Sequence, residues 1–83
     1  MPVVVLERTS WAYPEQYDVR LGAKLIGYLR LRHGDFTARH PDVEGAIVYE
    51  AAVYGDGEFF DDVERWKHLD AAIEALLKTE GVA

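Results

Sequence analysis

The sequence predicts an α+β domain: an antiparallel β-meander of about four or five strands, with one C-terminal amphipathic helix packed on its apolar face. Three observations carry this reading. Apolar and polar residues alternate through the centre of the chain, from Tyr17 to Arg39, with turn residues at two points. Apolar residues then recur at helical spacing from Val63 to Leu77. Cap residues, Asp61 with Glu64 before and Gly81 after, bracket that second stretch. At 83 residues the chain is expected to form a single domain. An apolar content of 49 % is enough for one modest core, so disorder is not expected.

Residues 3–7 open with Val-Val-Val-Leu and read as a first strand, because β-branched residues dominate and no helix cap precedes them. Residues 9–16, which hold Trp11, Tyr13 and Pro14, read as a loop. Pro14 disfavours helix at Tyr13 and lacks a ladder donor. Trp11 and Tyr13 serve there either as recognition aromatics or as a plug for an open end of the core.

Strands are expected over 16–21, 25–32 and 35–40. A two-residue turn at His33-Gly34 pairs Arg32 with Asp35, Leu31 with Phe36, Arg30 with Thr37 and Leu29 with Ala38. That register places every apolar residue of the hairpin on one face. A three-residue turn at 22–24 does the same for the preceding hairpin, setting Leu21 against Leu25 and Tyr17 against Leu29. A two-residue turn there would send Leu29 and Leu31 to the face opposite Val19. Residues 46–54 form a further strand that is apolar on both sides, which predicts a central or covered position.

The helix is expected over 62–80. Asp61 is its N-cap, Glu64 completes a capping box, and Gly81 ends it. Val63, Trp66, Leu69, Ile73, Leu76 and Leu77 form the predicted apolar face, with His68 outside beside Glu64. Asp70, near the edge of that face, is expected to need a basic partner.

The chain has no cysteine, which excludes disulfides, thiolate metal sites and thiol catalysis. No two of His33, His40 and His68 stand at a spacing that chelates a metal within one element. The glycines match neither a dinucleotide-binding nor a P-loop pattern, and no serine sits in a nucleophile elbow. No cofactor and no enzymatic activity are expected. The apolar start is too short for a signal peptide, and no run approaches a bilayer span. A cytoplasmic protein without membrane contact is therefore expected.

Charge carries the functional signal. The net charge is −6, but residues 16–40 sum to +3 and residues 41–64 to −8. Period-2 register gathers Arg20, Tyr28, Arg30, Arg32 and Arg39 on the sheet face opposite the core, with Ile26 and Thr37 interleaved. Arginine and tyrosine favour interface hot spots. A small non-enzymatic binding protein that makes protein–protein contact through this face is the leading expectation. A homodimer is also expected, the acidic segment of one copy meeting the basic face of another. Nucleic acid is disfavoured by the negative total charge.

Asp56, Glu58, Asp61 and Asp62 form a candidate acidic patch, though helix capping and dipole compensation also account for them. An alternative reading is a phage or mobile-element type of inhibitor that mimics nucleic acid with these acids. A second alternative is an anionic-ligand-binding domain with its pocket near Arg30, Arg32 and His40.

Overall fold

A computed structural model describes residues 3–10 and 14–82. Five strands form one antiparallel sheet in the order β1-β2-β3-β4-β5: β1 Val4–Ser10, β2 Glu15–Leu21, β3 Lys24–Arg32, β4 Asp35–His40 and β5 Ala46–Ala52. One helix, α1 (Asp62–Glu80), packs on β3, β4 and β5. The architecture is the α+β meander-plus-helix that alternation and capping predict. Two assignments differ locally. β1 runs on to Ser10 and β2 starts at Glu15, so the connection between them is shorter than the 9–16 loop expected. Trp11 and Tyr13 lie outside the described residues.

The β3–β4 hairpin has the expected register, Arg32↔Asp35 through Leu29↔Ala38. Its turn is left-handed at both positions, with φ of 53° at His33 and 74° at Gly34. This is the type I′ geometry whose twist matches paired strands.

The β2–β3 hairpin reaches the expected pairing of Tyr17 with Leu29 by another route. Its turn is two residues, Gly22-Ala23, since Leu21 faces Lys24. The extra residue sits instead in β3. Val19 pairs with Gly27 and Arg20 with Leu25, so Ile26 has no partner of its own. A bulge of this kind resets the phase of the strand. Ile26 is therefore fully buried in the core and does not join the arginine face, while Leu25 stands opposite Arg20.

The outer strands are bulged as well. On β1 the register shifts between Arg8 and Ser10, and on β5 it shifts between Tyr49 and Ile47. The β5 bulge explains why residues 46–54 looked apolar on both sides. Val48 and Tyr49 both pack against the core, and Ile47 turns to the opposite face beside Arg39. β5 is thus an edge strand, not a central one.

The core lies between the sheet and α1. Ile26, Leu29, Leu31 and Phe36 from the sheet meet Leu69, Ala72 and Leu76 from the helix, with Phe59 from the preceding loop. Burial of each large side chain contributes roughly 1.5–3 kcal/mol. Asp61 accepts the N–H of Glu64 at 2.8 Å, and Glu64 accepts the N–H of Phe60 at 2.9 Å. Gly81, at φ 83°, and Val82 close the C-terminus by donating to Lys78 O and Leu77 O.

The buried helix stripe is rotated from the expected one. It contains His68, Leu69, Ala72 and Leu76, whereas Val63 is 81 % exposed and Trp66 50 % exposed. The buried stripe carries polar contacts inside the core. His68 Nδ1 lies 2.8 Å from Tyr49 Oη, and its ring stacks on Phe59. Arg65 reaches the buried Glu15. Asp70 is exposed and water solvates it, so the basic partner expected for it is not needed.

Candidate functional site

Apart from the bulges, side chains along the strands alternate between the core side of the sheet and the opposite side. On β2, β3 and β4 the outward row holds Asp18 and Arg20, then Tyr28, Arg30 and Arg32, then Asp35, Thr37 and Arg39. The structure thus brings together the five residues Arg20, Tyr28, Arg30, Arg32 and Arg39 on the face that α1 leaves uncovered. Register places Arg30 beside Gln16 and Thr37, and Tyr28 beside Arg39.

A groove of about 520 Å³ runs across this face. Arg30, Arg32 and Arg39 line it together with Tyr28, Thr37 and Asp35. His33 closes one end, and Val43 and Ile47 form an apolar wall at the other. Arg20 is on the same face but outside the groove. Val43 and Ile47 carry no chemical motif. Ile47 points here only because β5 bulges at Val48.

Most cations away from this face are paired: Lys24 with Glu80 at 2.8 Å, Arg65 with Glu15 at 2.9 Å, Arg8 with Glu15 at 3.8 Å and Lys78 with Glu74 at 3.4 Å, while Lys67 is exposed on α1. Among the described residues, Arg20, Arg30, Arg32 and Arg39 have no carboxylate within salt-bridge distance. The Arg32–Asp35 pair that strand register allows does not close. Arg39 Nη1 donates to Gly45 O at 3.0 Å, and Tyr28 Oη donates to Gln16 Oε1 at 2.5 Å. Arg30 Nε is buried and has no hydrogen-bond acceptor.

Asp35 lines the groove, and a second carboxylate lies near it. Glu50 stands across from Thr37 and diagonal to Asp35. A hydrogen bond with Asp35 and the repulsion of its charge hold the Glu50 carboxyl above the usual glutamate range.

His40 is not part of this face. It lies on the helix side, with Nε2 2.5 Å from Glu80 Oε2, so it cannot join Arg30 and Arg32 in one pocket. Lys24 and His40 hold the Glu80 carboxyl below its ordinary range. His68 is buried, and His33 sits at the turn tip with Nδ1 3.7 Å from Asp56 Oδ1. Among the described residues, no three His, Asp or Glu side chains assemble as metal ligands.

The acidic candidates occupy the connection between β5 and α1 and the first residue of α1. Asp61 is the helix cap, Asp62 pairs with Arg65, Asp56 stands beside His33, and Glu58 is exposed.

Sequence reasoning missed a polar centre under α1. Glu15, 1 % exposed, accepts from Arg65 Nε at 2.9 Å, from Tyr17 Oη and from the N–H of Phe59 at 3.3 Å. Burial alone would raise this carboxyl, but those donors and the Arg65 charge hold it below the usual range. Burial and the adjacent Glu15 push the Tyr17 phenol up to about 12. Nothing in the local pattern marks Glu15, which reads as one more loop residue beside Pro14.

No family model, no curated protein and no solved structure matches the chain. Among the described residues, no helix is long and apolar enough to cross a membrane.

Proposed function

We propose that this is a small non-enzymatic binding protein whose recognition surface is the uncovered sheet face, and that its partner is an acidic protein surface. The observation behind this is the set of four arginines without carboxylate partners on one face of a chain whose net charge is −6. Such a surface attracts an acidic partner locally while the rest of the molecule repels it, which favours one orientation of docking. Arginine stays protonated at physiological pH, so the groove suits recognition of anions more than proton transfer. Tyr28 and the arginines are also the residue types that supply interface hot spots.

The acidic-decoy alternative has less behind it, since Asp61 caps the helix and Asp62 is engaged by Arg65. The same sheet face is available to a second copy, whose exposed acids would supply the complementary charge.

The test is chemical cross-linking in native extract, quantified for wild type, R30E/R32E and K67E. Lys67 is exposed on the helix, away from the face. Loss of the cross-linked species in R30E/R32E alone, with a salt-sensitive wild-type yield, is the expected result. Equal yields for R30E/R32E and wild type would place recognition elsewhere. Light scattering over a concentration series separates a homodimer from a complex with another protein.

A further inference from the structure

We infer that the groove formed by Arg30, Arg32 and Arg39 is a site for a carboxylate carried on an apolar body. This inference rests on the reading of the open sheet face as the recognition surface, and it names the chemistry that the centre of that face selects. Three lines of structure lead to it.

The first is charge. Three guanidiniums line one groove together with Asp35, and among the described residues none of the three has a carboxylate within salt-bridge distance. An anion entering there meets donors that need not break a salt bridge. The guanidinium fork matches a planar carboxylate with two parallel N–H···O bonds.

The second is an unmet donor. Arg30 Nε is buried without an acceptor. A buried donor without an acceptor is less favourable than a satisfied one. Arg30 as a whole is only partly buried, and it lines the groove. A turn of its side chain toward the opening would offer the Nε–H to an incoming oxygen. Arg30, at the middle of the face and with its Nε–H not taken by any protein acceptor, is the anchor of the site.

The third is the far wall. Val43 is 56 % exposed and Ile47 42 % exposed, and both border the groove next to Arg39. Apolar surface beside a cationic floor suits an amphipathic anion: the head on the arginines, the body on Val43 and Ile47. A bare, strongly hydrated anion would leave that wall wet. The volume, about 520 Å³, falls in the range of small-ligand sites.

The chemistry has two sources, a free small acid or an acidic residue with an apolar neighbour on a polypeptide. Amide NMR titrations at low salt would use three anions as probes: sodium hexanoate, sodium acetate and inorganic phosphate. An N-acetylated, C-amidated Leu-Glu-Leu peptide forms a fourth arm. Hexanoate is expected to move the β3 and β4 resonances around Arg30, and to bind about tenfold more tightly than acetate through partial burial of its extra methylenes. R30M is expected to lose hexanoate binding, and I47S to bring hexanoate and acetate to similar affinities. Both substitutions are on the outward face, and an unchanged spectrum outside the groove verifies folding. Should R30M not fold, R30K replaces it, with loss of the forked contact as the expected result. A peptide that binds more tightly than hexanoate identifies a polypeptide source, and a weaker one a free acid. Phosphate binding as tightly as hexanoate, or hexanoate binding that survives in R30M, would overturn the proposal. Failure of hexanoate with R30E/R32E-sensitive cross-linking removes only this inference. Hexanoate binding with insensitive cross-linking removes only the reading of a protein partner.

Discussion

Gly27 of β3 lies directly under Leu76 of α1. A methyl group on Gly27 would lie 2.7 Å from Leu76 Cδ2 and nearer still to Cδ1. Leu76 is fully buried, so it has little room to withdraw. The glycine is required by packing, not by its backbone conformation.

Gly27→Ala is therefore expected to destabilise the fold by about 1–3 kcal/mol, the usual cost of overpacking. The check is urea denaturation of G27A, L76A and the double variant. L76A alone should cost about 2–5 kcal/mol. The new methyl occupies part of the space left by Leu76, so the double variant should lose less than the sum of the two singles. Strict additivity would mean that the helix shifts away instead.

The Glu15–Arg65 pair joins the first residue of β2 to the helix. Arg65→Met strands a carboxylate in the core and is expected to cost about 3–5 kcal/mol. Glu15→Gln should cost less, because Arg65 is partly exposed and can turn to water. Its pH dependence has a definite sign. The native carboxyl is held below its unfolded value, so its contribution is complete above about pH 4.3 and fades as pH falls through the lower native value. The gap in stability between wild type and E15Q should then shrink on acidification. Glu80, depressed by Lys24 and His40, leaves a residual acid slope in E15Q.

Glu50 carries the opposite sign. Its carboxyl is raised by hydrogen bonding to Asp35 and by that residue's charge. A raised native value means the pair favours the fold below the unfolded value and loses that benefit as pH rises through the native one. Glu50→Gln is expected to raise the melting temperature at pH 7 and to lose that advantage near pH 3. Melts of both proteins at the two pH values test this, and an equal shift at both would exclude a shared proton.

Much of this architecture can be read from local pattern, because local pattern is what produces it. His33-Gly34 can only turn tightly, and one alternation on each side then sets the register through Leu29 and Ala38. The arginine row follows from the same alternation, so most of the candidate site was legible too. What escaped was non-local or phase-breaking. The bulges at Ile26 and Val48 insert one residue each; only the first has a marker, the strand glycine Gly27 beside it, and together they decide that Ile26 is core and Ile47 is groove wall. Arg65 and His68 look like outward polar residues until Glu15 and Tyr49, distant in sequence, are placed against them. The buried stripe that carries these contacts leaves Val63 and Trp66 exposed.

The bulges on β1 and β5 have a further consequence. Both are outermost strands, and each would otherwise offer a straight row of free N–H and C=O groups to another chain. On β1 the shift falls between Arg8 and Ser10, and on β5 it falls at Val48. An added strand would lose step within a few residues on either side, so the sheet is protected from end-to-end polymerisation at both margins. One sheet face can thus stay uncovered without the edges of that sheet becoming a seed for fibrils.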